Sequence, residues 1–462
     1  MATLTEKNEV YDKATDADKG SFDEERTIDH GPSAHALKEE DSEQDLKAER
    51  EATRAAIQEP TGVDDYPDGG LRAWIIVFGT MCATFSTFGY VNAWGVFQAY
   101  YEETILKDSS PSNIAWIGSI QYSLVFVPGL VTGRMFDLGY FHIPLFCASC
   151  LLVVATFLVA ECKEYWQFLL CQGFAVGLGC GTIFGPSMGI ISHWFKKRRG
   201  IALGLQAVGS SIGGTIFPIA AKRLIAEVGF PWTMRIIGFI LIVTLGGANL
   251  ALKRRLPPSK SAGGLLNPAA FKNLGYTFWC ISGFTAFLGL YTVLTYIDVS
   301  ATFAGIDPNF SFYLISIANA SSGFGRITAG VLADRFGAIN VMAPATLLAG
   351  ALTFAWPYAV SKGALVAIAI VYGFGSGAYV SLCAVPMIAF GEIHDVGRRV
   401  GMAMTILALG ALAGPPISGA INNATGGFKA VGYYAGSTVI VSVILMIISR
   451  QLHLGWKLKG KF

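Results

Sequence analysis

The sequence predicts an all-α integral membrane protein with twelve transmembrane helices in two six-helix, pseudo-symmetric halves. Three observations lead there: a body almost free of charge, twelve long apolar runs, and an internal repeat. The 462 residues are 53% hydrophobic and only 14% charged, with a mean hydropathy of +0.50. The formal net charge of +2 conceals a division, because residues 1–65 hold 19 acids against 8 bases and the other 397 hold 13 acids against 26 bases. Soluble domains carry about 25% charged residues, so the body has too few to clothe a water-exposed surface. That argues against a soluble enzyme and against a nucleic-acid binder, whose bases would gather on one polar face.

In chain order, the first segment is 1–65. It has no apolar core and is rich in Glu, Asp, Lys, Ala and Ser, the composition of a disordered acidic cytosolic tail. Composition assigns it no specific role. Nothing apolar precedes Trp74, so no cleavable signal peptide is visible.

Charge-free runs then occupy 73–101, 109–133, 138–160, 165–195, 200–221, 236–252, 273–297, 308–325, 336–361, 363–391, 400–428 and 430–449. The shortest spans 17 residues and the next longest such stretch, 261–271, only 11, so the count of twelve does not depend on a threshold. A bilayer core takes about 20 apolar residues per helix, and helices satisfy their own backbone in lipid. A β-barrel would show alternating segments of roughly 10 residues, which are missing. The expected organisation is an N-terminal six-helix half at 66–252, a cytosolic linker at 253–272 containing Pro257-Pro258, a C-terminal half at 273–450, and a short basic cytosolic tail at 451–462. With alternating helices, eighteen bases of the body fall on the side of the termini and seven on the other. The positive-inside rule therefore puts both termini in the cytosol, and a multi-pass plasma-membrane location is expected.

The repeat appears on shifting the chain by 200 residues, which pairs Gly173 with Gly373, Pro186 with Pro386, Arg198 with Arg398, Arg199 with Arg399 and Gly214 with Gly414. A second echo links Gly133-Arg134-Met135-Phe136-Asp137 after run 2 to Gly330 through Gly337 after run 8, with Asp334-Arg335. Parallel repeats of this kind place a substrate site between the halves near the midplane. Glycine lets helices approach closely, and Asp137 and Asp334 can accept hydrogen bonds from helix ends or neighbouring arginines. Arg134 with Asp137, and Asp334 with Arg335, are thus candidate conformational latches.

At these loops the chain resembles the major facilitator superfamily. Within it, Pro67-Asp68-Gly69-Gly70-Leu71-Arg72-Ala73-Trp74, Trp194 to Gly204, Gly325-Arg326 and Gly410 to Pro416 resemble the monocarboxylate porter family, particularly its fungal branch. The resemblance spans the body from Pro67 onward. It implies secondary active transport of a small organic anion by alternating access, often with protons, with the arginine of the eighth helix receiving a carboxylate. Two positions depart from the animal members, which carry an aspartate where Ser322 stands and a lysine in the region of Asn92-Ala93-Trp94. Their route for coupling protons therefore does not transfer to this chain.

Arg326 points the same way unaided. It is the one base of the body inside a helix, roughly 10 Å of helical rise from Asp334 at about 1.5 Å per residue. A charge at such depth faces a cavity or a partner, and a guanidinium fork fits a carboxylate. Asn92, Tyr122 and Asn319 lie well inside their runs and are the favoured further substrate contacts, ahead of Gln206, Ser210 and Tyr291. Arg199, at the inner mouth of the fifth helix, resembles a cavity-facing residue of the family, with a membrane-anchor role the equal alternative; Arg399 is read as an anchor.

Chemistry other than transport finds little footing. No histidine is central to a run, and Cys147-Ala148-Ser149-Cys150 lies in the apolar third run without a second pair, a pattern read as packing rather than metal binding. No catalytic residue, cofactor or metal is expected. The expected partners are a small-molecule substrate, with protons an open co-substrate, and the lipid bilayer, for a monomer with an accessory subunit left open. The competing function is an exporter or facilitator of a neutral or larger metabolite, such as a vitamin or secondary metabolite, in the same fold.

Overall fold

The computed structural model describes residues 66–258, 264–392, 395–457 and 460–462. The acidic segment 1–65 lies outside the described residues, as do 259–263 of the linker and 458–459 near the carboxyl end. Among the described residues all regular structure is helical. The long helices are α1 (Gly70–Ile105), α2 (Asn113–Asp137), α3 (His142–Val159), α4 (Tyr165–Trp194), α5 (Arg199–Val228), α6 (Phe230–Ala251), α7 (Leu274–Phe303), α8 (Pro308–Phe336), α9 (Ala338–Tyr358), α10 (Lys362–Ala389), α11 (Val396–Thr425) and α12 (Phe428–Leu454). Eleven are long and apolar enough to cross a membrane. The twelfth, α8, is 29 residues long and is diluted by Asn319, Arg326, Asp334 and Arg335.

Local chemistry sets several helix starts. Asp307 opens α8 by accepting from the Asn309 amide at 3.1 Å, and Ser361 opens α10 by accepting from Ala364 at 3.3 Å, each satisfying a donor the helix leaves over. Glu164 and Gln167 form a reciprocal capping box at the start of α4. Gly229 (φ +79°) and Gly337 (φ +97°) are the single residues joining α5 to α6 and α8 to α9, a left-handed geometry that other residues resist.

Five of the transmembrane helices carry an irregularity. α1 passes through a π-helical stretch, Phe85–Gly89, and a turn at Asn92-Ala93; α2 loses helical pairing over 125–128, ending at Pro128; α4 is π-helical over Leu169–Val176; α7 breaks at Leu290-Tyr291 and α10 at Cys383. Such interruptions survive in a bilayer only where neighbours satisfy the released backbone or a cavity does. The Tyr372 hydroxyl does so at the α7 break, donating to the Leu290 carbonyl.

The halves meet along two helix pairs, α5 with α8 and α2 with α11. Glycines bring the backbones together: a Cβ on Gly200 would lie 2.6 Å from the Gly330 carbonyl oxygen, and one on Gly401 would strike the Gly129 carbonyl. The α5–α8 seam continues outward through Ser211 and Ser322, whose hydroxyls are 2.7 Å apart, to Lys222 over the Phe312 ring at 4.1 Å. The first part of the linker is tied to the N-terminal half, where Arg254 Nη2 donates to the Asp137 carbonyl at 3.1 Å and Arg255 Nε to that of His193 at 2.8 Å. The later part is tied to the C-terminal half through Asn267, which donates to Asp395 at 2.8 Å. Burial pushes the Arg254 guanidinium below its ordinary range, the charge of Asp137 acting the other way.

Two expectations meet a different structure. Arg399 is not an interfacial anchor: it is 3% exposed, donates to the carbonyls of Ile388 (3.2 Å) and Glu392 (2.7 Å), and lies 3.6 Å from Asp395. Its guanidinium ties up carbonyls that the end of α10 leaves over. Cys147 and Cys150, read as packing residues, are both exposed on α3, because an i, i+3 pair shares one helix face and here that face is the outer one.

Candidate functional site

Arg326 stands on α8 in the seam, 6% exposed. Its Nη1 donates to the Ala207 carbonyl and to Ser210 Oγ, both on α5 in the opposite half. Its Nε has no partner, and among the described residues no carboxylate pairs with it. Its charge instead bears on the phenols of Tyr122 and Tyr291 and the thiol of Cys383. Tyr122 lies just before the interruption of α2, and Tyr291 and Cys383 lie at the breaks of α7 and α10. Three irregular helices thus converge on one unneutralised guanidinium.

More unpaired polar atoms surround it. Both amide atoms of Gln206 are buried without partners, and the buried Tyr122 phenol has the Tyr291 phenol as its neighbour across the seam. Gln206 is one helical turn from Ser210, hence on the same side of α5. A buried unpaired polar group costs about 1–3 kcal/mol, so a ligand or water that pairs with these groups is stabilised by that amount. Rings close the site: Tyr122 and Tyr291 touch across the seam with centroids 5.2 Å apart, and Phe126 and Phe287 do so at 5.4 Å.

The expected substrate residues fall into three places. Arg326 and Tyr122 are together. Asn92 and Asn319 meet elsewhere, on either side of Gly214: Asn319 Nδ2 donates to its carbonyl at 3.2 Å, and a Cβ there would lie 2.9 Å from Asn92 Nδ2. Seven residues of α8 put that point about 10 Å from Arg326. Arg199 is apart from both, at the first turn of α5, where it lines a cavity of about 290 Å³ on the terminus-bearing face with Lys196, Lys197, Asp334, Lys461 and Phe462. Ser322 is occupied in the seam, donating to the Asn319 carbonyl at 2.7 Å. Trp94 Nε1 donates to Gln98 at 2.8 Å, and Gln98 to Glu102 at 2.9 Å.

Both latch aspartates engage helix ends. Asp137 accepts from the amides of Gly397 and Arg398, each at 2.9 Å, at the start of α11, with Arg134 close enough for its charge to act on the carboxylate. Asp334 accepts from Gly200 at 2.7 Å and Ile201 at 3.0 Å at the start of α5. Helix amino-terminal amides carry partial positive charge, which favours a carboxylate there. Arg335 does not join: it is exposed and makes no hydrogen bond or ion pair among the described residues. Lys461 is the base beside this latch, donating to the Asp334 carbonyl.

A third carboxylate escaped the sequence reading. Asp68 accepts from the amides of Lys196 and Lys197 at 2.7 Å and of Arg198 at 3.2 Å, while its own amide donates to the Trp194 carbonyl at 3.1 Å. The two separate motifs at Pro67–Trp74 and Trp194–Gly204 therefore form one joint, which holds the α4–α5 connection that presents α5 to Asp334. The signal for it was the pair Gly69-Gly70 after Asp68, all three at positive φ. Cys383, Phe126 and Phe287 were also missed; Pro128 and Pro386 inside apolar runs were the available hints of broken helices.

A bundle whose halves meet at broken helices around a buried cation, and whose seam is latched at one face, has the architecture of an alternating-access membrane transporter. The family model described as Major Facilitator Superfamily matches residues 76–383 and 274–461, and the chain belongs to that superfamily. It is 37% identical over 412 residues to "MFS-type transporter 1" of Ophiocordyceps sp., covering 88% of this chain and 92% of the relative. It is 34% identical over 399 residues to the aspyridones efflux protein of Emericella nidulans, covering 86% and 81%. The crystal structure of the E. coli fucose:proton symporter FucP matches with a TM-score of 0.64 and 16% identity, over 82% of this chain and 99% of that one, a likeness of fold alone. The chain is therefore a multi-pass membrane transporter and not an enzyme; the two fungal relatives are named as a transporter and an efflux protein, and neither name specifies a monocarboxylate.

Proposed function

We propose that the chain exports a metabolite larger than a simple monocarboxylate, of the secondary-metabolite kind, and that the transported species carries an acidic group received by Arg326. The observation that carries the reading is the buried guanidinium without a carboxylate partner at the point where α2, α7 and α10 are interrupted. The efflux naming of a relative that shares most of the chain supports export over uptake of a small acid. In this reading the terminus-bearing face is cytosolic, the membrane is the plasma membrane, and the latched state is closed to the cytosol. The two latches and Asp68 set the cytosolic gate, while Arg326, Tyr122, Gln206 and Tyr291 form the substrate contacts. Ser322 and Trp94 are held by uncharged neighbours, so among the described residues no carboxylate accompanies Arg326. A coupled proton would then travel on the substrate's own acid group.

Cells loaded with an acidic secondary metabolite test the proposal. Expression of the chain should speed loss of the compound, and Arg326→Ala, confirmed at the membrane, should reduce that export at least tenfold, the scale on which an arginine–carboxylate pair contributes about 1.5–3 kcal/mol. Export unchanged in Arg326→Ala would overturn the assignment.

A further inference from the structure

The rings beside Arg326 bear on the kind of acid the site takes. Phe88 of α1 lies 5.4 Å from Phe126 and 6.3 Å from Tyr122, both of α2; across the seam, Phe287 lies 5.4 Å from Tyr291 and 6.1 Å from Tyr379 of α10. Each half therefore brings its own aromatic wall, and the walls touch at two points, Tyr122 with Tyr291 at 69° and Phe126 with Phe287 at 87°. Edge-to-face pairs of this kind are stabilised by the charge distribution of the rings beyond the area they bury.

Alternating access requires the halves to separate at this level, because α2 and α7 belong to opposite halves. Parting the walls breaks both cross-seam pairs and leaves ring surfaces bare. A ligand that enters the gap replaces the lost contacts fully only if it is itself a flat π-system; a saturated skeleton of equal size restores the buried area and not the ring–ring attraction. Arg326 stands beside the same gap, where its planar guanidinium serves an acid group. Resting on the reading of Arg326 as the acid receptor, we propose that the substrate is a flat, conjugated acid held between the two aromatic walls, its acid group on the guanidinium.

Binding of 2-naphthoate and of its saturated counterpart, decahydro-2-naphthoate, to the purified full chain in lipid nanodiscs separates size from planarity. The unmodified chain should bind 2-naphthoate about tenfold more tightly, the order expected of one or two ring contacts. Phe126→Leu and Phe287→Leu, one on each wall, should bring the ratio towards one, with thermal unfolding confirming that each variant is folded. Arg326→Ala should weaken both acids and leave the ratio near its original value. Equal affinity for the two acids in the unmodified chain overturns the proposal, as does failure of both to bind at millimolar concentration, or a ratio that survives both leucine variants. If Arg326→Ala binds both acids as before while the ratio holds, the aromatic selectivity stands and the acid-receptor reading falls.

Discussion

Asp137 and Asp334 occupy matching points of the repeat, and each accepts from two amides at the start of a helix in the other half. Their surroundings differ. Asp137 is 3% exposed, with Arg134 beside it and Arg254 on its carbonyl. Asp334 is half-buried and borders the cavity lined by Lys196, Lys197, Arg199 and Lys461. Two loops that share a glycine and an aspartate at the same spacing thus give one dry latch and one wet latch, and the field around a carboxylate, more than its own hydrogen bonds, decides how strongly it holds.

The largest expected effect comes from breaking the dry latch. Asp137→Ala removes two charge-assisted bonds and strands two buried amides, which should shift the balance towards opening at the terminus-bearing face by about 3 kcal/mol, over a hundredfold in the equilibrium. Hydrogen exchange at Gly397 and Arg398 would show it. Asp334→Ala should cost only about 1 kcal/mol, read at Gly200 and Ile201, because water can take over the released groups. If the two variants speed exchange equally, the distinction between dry and wet latches is wrong.

Salt sharpens the contrast with a smaller effect. Raising ionic strength from about 0.05 to 0.5 M shortens the screening length from roughly 14 to 4 Å and should loosen the Asp334 side, open to solvent and ringed by bases, while leaving exchange at Gly397 unchanged. Equal sensitivity at both sites would refute the assignment. The smallest effect belongs to Arg335→Ala, which should stay within about 0.5 kcal/mol of the unmodified chain in thermal unfolding, since Arg335 is exposed and unbonded.

The helices were legible because lipid forbids charge, so the few charges of the body fall at helix ends and mark them. The latch aspartates were legible because the repeat prints them twice. Helix ends were among their expected partners, but which helix starts they meet was not legible, since a backbone amide has no letter in the sequence. The joint made by Asp68 was hidden for the same reason, and because its partners lie 128 to 130 residues away. Arg326 stood out as a lone buried charge, whereas Arg199, named with it on the strength of resemblance, lies apart: eight residues, about 12 Å of rise, separate it from Ala207, where Arg326 docks. Cys383, Phe126 and Phe287 look like ordinary apolar letters, and nothing in the sequence sets the first beside Arg326 or the two rings beside Tyr122 and Tyr291.

Both latches end on main-chain amides rather than on side chains. The donor amides of Ile201 and Arg398 therefore persist under any replacement but proline, and only the glycines at 200 and 397, where an added Cβ would lie 2.7 Å from the latch carboxylates, are held fixed by space. On the proposed reading, the gate rests on the main chain at two helix starts and the cargo on the side chains of the aromatic walls, so the two can change independently.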